Sequence, residues 1–309
     1  MTNSAAGIHW AGPAILQKRL ENTYLIGIPL AGSILAAVWI ANHGITLIDV
    51  SAFAIFYALT GLGVALGMHR YFTHKSFEAV LPLRLVLGAS ATMCFQGTIL
   101  RWVADHRRHH SHSDQQGDVH SPHVDPWGRD VKGLGGLWYA HVGWMFDGTA
   151  TDLEVFGKDL QQDRLVMFFV RTHWLWLAAS LGLPFAYGYA LGGAEAAWSA
   201  MLIGGCLRIS VLHNVVWAVN SIGHSHGDED FPQANRSKNN LVLALLTFGD
   251  GWHNNHHRFP RSAFHGLKPG EIDVNGWIIA TLERAGLVWD VVRVPQQRVA
   301  AARSPVGGQ

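Results

Sequence analysis

The sequence predicts an all-α membrane protein, with four transmembrane helices in two tight hairpins and a helical cytoplasmic cap. Three observations predict it. Of 309 residues, 49% are hydrophobic and only 15% charged, a deficit of charge that points toward lipid. Four stretches approach the roughly 20 apolar residues that a hydrocarbon core requires. Histidine, at 19 residues, is the outlier, and its densest groups stand at the ends of those stretches or beyond them.

In chain order, the start MTNSAAGIHWAGPAILQKRLENTY lacks the charged, apolar and small-residue regions of a secretion signal, so the N-terminus is expected to be retained. The spans are Tyr24 to Ala41, Val50 to Met68, His173 to Ala190 and Ala197 to Asn220. HGITLID joins the first two and LGGAEA the last two, and neither loop holds a Lys or Arg. Lys18, Arg19, most basic residues between Arg70 and Arg171, and those from Arg236 onward lie outside the hairpins. The bias of positive charge toward the cytoplasm therefore places both termini there, with a cap made of residues 69–172 and 221–309. The whole chain, 1–309, reads as one membrane domain.

Several lesser features read as structural. LRLVLGASATMCFQGTIL, Leu83 to Leu100, is nearly long enough to span, but crossing would put the histidines on either side of it in opposite compartments; an interfacial or buried helix is expected. GLGVALG at Gly61 to Gly67 follows no strand and has the wrong spacing for a dinucleotide loop, so it reads as a small-residue packing face. Arg208, alone in the fourth span, either snorkels or is buried with a partner. Cys94 and Cys206 share no ligand spacing and read as reduced packing residues. A net charge of +1 gives no pull toward nucleic acid.

Four histidine groups carry the chemistry: HRYFTH (His69 to His74), HRRHH (His106 to His110), NSIGH (Asn220 to His224) and HNNHH (His253 to His257). In the two triplets the spacing i, i+3, i+4 gathers three imidazoles within an arc of roughly 100° on a helix. In HRYFTH the i, i+5 pair is separated by roughly 140°, suited to flanking a site from both sides. Asn220 and His224 share a face. Nine histidines and one amide exceed the needs of one metal and suit two, with four or five nitrogens each. Imidazole suits zinc, copper, iron or nickel; a structural zinc would be closed by four ligands, usually including Cys, so two open nitrogen-rich sites beside apolar helices favour iron and oxygen chemistry. Asp105, Asp114, Asp118 and Asp250 are candidates for orienting the imidazoles. His112, His120, His123 and His141 stand near the ligand segments, whereas His9, His43, His173, His213, His226 and His265 read as structural or interfacial.

The order HxxxxH, HxxHH, NSxxH, HxxHH resembles the integral-membrane acyl desaturases of the stearoyl-CoA delta-9 type, in a bacterial-like form. So do Phe95 and Gln96, Trp102, DHRRHH, SHSD, His141 to Trp144 (HVGW), WAVNSIGH and GDGWHNNHHRFP, over about Tyr24 to Trp289. The resemblance implies two Fe ions held by His69, His74, His106, His109, His110, His224, His253, His256 and His257, with Asn220 holding a water. It implies that O2 and two electrons remove two hydrogens from an acyl chain to leave a cis double bond, with delta-9 as the expected position. It also implies a kinked substrate tunnel, with Asp105 and Trp217 contacting substrate, and an active site on the cytoplasmic face of a multi-pass protein of the bacterial inner membrane. The CoA-type head-group positions depart from the pattern: they read Gly97, Ala104 and Asp147 to Thr149 here, so an acyl-lipid substrate stands beside an acyl-CoA. A separate donor, such as ferredoxin or a small haem protein, is expected, because no segment has spare length for a fused one. The rival readings are a hydroxylase or acetylenase with the same centre and, from another class, a His-rich membrane metal transporter, which would place its ligands near mid-span.

Overall fold

The computed structural model describes residues 7–232 and 235–303. Its long helices are α1 (Pro13–His43), α2 (Leu47–Leu62), α3 (Leu81–Thr92), α4 (Ile99–His112) and, after α5 (Gly133–His141), α6 (Leu153–Phe156), α7 (Lys158–Gln162) and α8 (Arg164–Arg171), the pair α9 (His173–Ala200) and α10 (Arg208–Ser221). The short helices α11 (Leu241–Leu246), α12 (His253–Arg258), α13 (Val274–Arg284) and α14 (Gln296–Arg303) follow. Strands are two-residue pairs: β1 (Ile8–His9) with β3 (Ala150–Thr151), and β2 (Glu78–Ala79) with β4 (Val288–Trp289). The described residues divide into two compact units, one drawn from Met1–Gly67, Leu85–Asp105 and Met145–Asn214, the other from Met68–Arg84, His106–Trp144 and Val215–Gln309.

Among the described residues, three helical runs are long and apolar enough to cross a membrane, Pro13–His43, Leu47–Thr73 and His173–Ser221. Pro13 opens α1 at a position where its missing N–H costs nothing, and Gly44, at φ 78°, closes it. Thr46 and Asp49 then start α2 with a reciprocal capping box: the Asp49 amide donates to the Thr46 hydroxyl, and the Thr46 amide to the Asp49 carboxylate. Only three residues join the helices, so the first hairpin is tight.

The third run is 49 residues long, where two separate spans were expected. It is broken at Gly193, whose φ of 74° and ψ of −161° lie outside the helical region, within the LGGAEA loop. The Phe185 and Trp198 rings lie 5.1 Å apart; in a straight helix these residues would be separated by about 20 Å. The chain therefore doubles back at Gly193 into two antiparallel arms.

Close packing explains GLGVALG. A Cβ on Gly63 would lie 2.4 Å from the Ser90 carbonyl carbon of α3, and one on Gly67 would lie 2.9 Å from the Leu87 carbonyl oxygen, so only glycine lets these backbones approach. At 12 residues, α3 is about 18 Å long, short of a roughly 30 Å core. Arg208 does not snorkel. It is fully buried, donating to the carbonyls of Gly204 and Ser180 and to the hydroxyls of Thr60 and Ser180.

In the second unit Phe231, Leu267 and Val299 form a small core. The asparagines of HNNHH fix α12 beside it. The Asn254 carboxamide oxygen accepts from the amides of Asp230 and Phe231, and the Asn239 oxygen accepts from the amides of Asn254 and Asn255.

Candidate metal centre

The segment after α2, Gly63–Thr73, is a π-helix, and it changes the geometry of HRYFTH. The amide of His74 donates to the carbonyl of His69 over 3.2 Å, the i→i+5 bond of a π turn. An α-helical reading sets His69 and His74 on opposite flanks of a site. The wider turn instead stacks them on one side, with ring centroids 5.0 Å apart, and both enter the same cluster.

Each triplet is also divided, not convergent as a unit. Residues i and i+4 lie about 40° apart on a helix, while i+3 falls about 60° to the other side of i. Accordingly, His106 and His110 of α4 join His69, His74 and His256, while His109 joins His224, His253 and His257. In α12 the i, i+4 pair His253 and His257 goes to the second group and His256 to the first. Within each group the ligand atoms lie within 4.8 Å of one another. In the first, Nε2 atoms face each other at 3.0 Å (His69 and His256), 2.9 Å (His256 and His110), 3.0 Å (His110 and His106) and 3.1 Å (His106 and His74). In the second the separations are 3.0 Å (His224 and His253), 3.0 Å (His253 and His257) and 3.3 Å (His257 and His109).

Carboxylates orient one imidazole in the first cluster and two in the second. Nδ1 of His69 donates to Asp250 at 2.9 Å, that of His109 to Asp118 at 2.7 Å, and that of His224 to Asp114 at 2.9 Å. A proton held on Nδ1 leaves Nε2 of those rings with its lone pair exposed to the cluster. Lone pairs about 3 Å apart repel unless a cation stands among them, so the donor set fits bound metal, and all-nitrogen ligation suits iron, zinc, copper or nickel. Burial works against charge in the free rings: it drives His253, His256 and His257 well below the ordinary histidine range, with the neighbouring histidines adding to the effect. Asp250 is opposed by burial, yet the charges of His69 and Arg70 hold it well below the usual carboxylate range. His109 goes up: burial lowers it, but Asp118 outweighs that.

The other candidates fall in different places. Asn220 is half-buried in the last turn of α10, its side chain without a hydrogen-bond partner among the described residues. Trp217 is buried on the same helix, its ring 5.8 Å from that of His141. Asp105 orients no imidazole; it accepts the Thr151 hydroxyl and lines a cavity of the first unit. His120 packs against His109 with centroids 4.3 Å apart, and Nε2 of His123 donates to the His224 carbonyl at 2.7 Å.

Sequence reading missed three supports. Arg70, inside the first motif, is fully buried and clamped between Asp250 (3.1 Å) and Asp273 (2.9 Å), so it fixes the carboxylate that orients His69. His265, taken as structural or interfacial, is buried with Nδ1 3.2 Å from Asp250 and its ring 4.6 Å from His256. The amide of Asn235 lies 2.6 Å from Nδ1 of His257. Arg108, between the histidines of the second motif, is buried and donates to the Gly117 carbonyl at 2.8 Å.

The model of the fatty acid desaturase family matches residues 48–270. The chain belongs to the fatty acid desaturase family. As a desaturase it is an oxidoreductase and a membrane protein. It is 34% identical over 299 residues to a hex-5-enoyl-[acyl-carrier protein] acetylenase of Moorena producens, covering 93% of each chain. It is 34% identical over 242 residues to an sn-1 stearoyl-lipid 9-desaturase of Anabaena variabilis, covering 78% of this chain and 82% of the relative. Stearoyl-CoA desaturase 5 of Bos taurus is 30% identical over 260 residues, 81% and 73% of the two chains.

Proposed function

We propose that this desaturase removes two hydrogens from adjacent methylenes of a saturated acyl chain, at the delta-9 position, leaving a cis double bond. One O2, two electrons and two protons take up the two hydrogens and leave as two waters. The observation that carries the reading is the pair of imidazole clusters, five nitrogens and four, in a chain of this family. His69, His74, His106, His110 and His256 would hold one iron, and His109, His224, His253 and His257 a second, with Asn220 retaining a water. Bound there, iron would supply the oxygen activation that breaking an unactivated C–H bond requires.

The chain's own residues do the rest. Asp250, Asp118 and Asp114 hold the Nδ1 protons of three ligands, and Arg70 holds Asp250. Burial keeps the other imidazoles neutral and available. Trp217 and Asp105 contact the substrate, an acyl-lipid or acyl-CoA whose methylenes are chemically alike, so selectivity rests on positioning. A ferredoxin or small haem protein delivers the electrons. α1, α2 with its π continuation, and the two arms joined at Gly193 make four crossings of one membrane domain, with both termini and the metal site on the cytoplasmic side of a bacterial inner membrane. Loops free of Lys and Arg support that orientation.

A second reading is supported by the acetylenase that matches 93% of the chain: the same centre would take two hydrogens from an existing alkene. Expression in a host of defined lipids, followed by mass spectrometry of acyl chains, tests both. New monoenes that vanish in His256→Ala support the first reading; alkynes promote the second. Unchanged chains despite bound metal exclude both.

A further inference from the structure

A metal-bound imidazole keeps its proton on the nitrogen turned away from the metal, and that N–H needs an acceptor. In the five-histidine cluster His69 gives its Nδ1 proton to Asp250. His74, His106 and His110 are half-exposed, within reach of water. His256 is the exception. It is fully buried, its Nε2 faces His69 and His110, and its Nδ1 has no hydrogen-bond partner among the described residues.

Among the imidazoles of the described residues packed around His256, that of His265 is the one outside both clusters, with centroids 4.6 Å apart and planes inclined by 40°. Its Nδ1 stands 3.2 Å from the Asp250 carboxylate, a bent contact whose negative charge calls for an N–H there. Burial, with Arg70 beside the carboxylate, keeps the ring neutral. Nε2 is therefore left as an acceptor, and it too is buried without a partner. An unmet donor and an unmet acceptor thus share one buried ring contact. The backbone holds the two rings in register: Asn255, beside His256 in α12, donates to the His265 carbonyl at 2.9 Å, and Asp273 accepts from the His265 amide at 2.7 Å. Nδ1 of His253 is also unpartnered, but the rings beside it are ligands themselves.

Resting on the metal-binding reading of the two clusters, we propose that His265 is a positioning residue for His256. Its Nε2 accepts a hydrogen bond from Nδ1–H of the ligated ring, so Asp250 orients two ligands of the first cluster, His69 directly and His256 through His265. Two variants of the purified full-length protein separate the two ends of the ring. In His265→Gln the carboxamide reaches the place of Nε2 and keeps an acceptor for His256; in His265→Asn it reaches only the place of Nδ1 and keeps the contact to Asp250. The probe is iron(II) alone, supplied as ⁵⁷Fe and read by competition with a chelator and by Mössbauer spectroscopy, without substrate or turnover. His265→Gln is expected to hold iron in both clusters nearly as the unmodified protein does. His265→Asn is expected to lose about 10–100-fold in affinity at the first cluster and to alter one iron signal, that of the second cluster staying as it was. Equal binding by the two variants, or rescue by Asn in place of Gln, overturns the role and leaves the metal centre standing. An unmodified protein that binds no iron sinks the centre, and the role with it.

Discussion

His74 and His69 are joined by one π turn: the amide of His74 donates to the carbonyl of His69 at 3.2 Å, and their rings enter one five-histidine cluster. A π turn bonds residue i to i+5, so His74 comes back beside His69 where an α-helical turn would carry it about 140° away.

Exchanging neighbours, Thr73→His with His74→Thr, keeps composition but moves the second imidazole to the Thr73 position, whose side chain turns back to the Met68 carbonyl, away from the His106 Nε2 that His74 meets at 3.1 Å. The first cluster should lose a ligand while the second is untouched, so metal per chain should fall by about half and product should vanish. Metal content by mass spectrometry is the check; full loading with activity would show that the π register is incidental.

Asp250→Asn should act in two ways at once. It weakens the carboxylate that orients His69, which typically costs about 10–100-fold in metal affinity, and it leaves the fully buried Arg70 with only Asp273 as a carboxylate partner. A buried charge losing a partner costs several kcal/mol when the partner is removed outright; Asn, which still accepts a hydrogen bond, should cost less than Asp250→Ala. Asp118→Asn should weaken metal binding in the other cluster, with less effect on unfolding because it has no buried guanidinium to abandon. Equal melting temperatures for Asp250→Asn and Asp118→Asn would refute the Arg70 link.

The histidines were legible because imidazoles repeated at i, i+3 and i+4 have few structural explanations, and three of the four suspected carboxylates do meet a histidine of the two clusters. Asp105 misled because one position along α4 turns a side chain by about 100°, from the ligand face to a cavity. The π register of Gly63–Thr73 was invisible, since no propensity distinguishes it from an α-helix. Arg70 and Arg108 were missed for a related reason. A charged residue inside a histidine motif carries no mark of burial in the sequence; tertiary partners, Asp250 and Asp273 for Arg70 and the Gly117 carbonyl among those of Arg108, make its burial tolerable.

Metal-free protein should lose stability on acidification. Burial holds His265 at about 4 and His120 at about 3, against 6.5 for the free group, and drives His253, His256 and His257 down as well. These rings stay neutral in the fold, whereas the unfolded chain binds protons as pH drops below 6.5, so their contribution is complete above that value and erodes between about 6.5 and 4. His109, raised by Asp118, has the opposite sign: its contribution is present below 6.5 and is lost as pH rises through its folded value. One ring against five leaves a net fall toward acid. The melting temperature of the apoprotein should therefore drop steadily from pH 7.5 to 4.5, and a flat or rising profile would contradict neutral imidazoles in the fold.

Gly193→Ala and Gly182→Ala form a matched pair for the second hairpin. Neither added Cβ meets an atom within 4 Å, but Gly193 sits at φ 74° whereas Gly182 lies within the α9 helix. At φ 74° and ψ −161° an L-residue is strained by about 1–3 kcal/mol, while alanine in a helix interior gains about 1 kcal/mol over glycine. Opposite signs are therefore expected from one methyl group: Gly193→Ala lowers the melting temperature or the folded yield, and Gly182→Ala preserves or raises it. If both variants behaved alike, the 49-residue run would not depend on glycine to reverse, and the two-arm reading that supports four crossings would lose its physical basis.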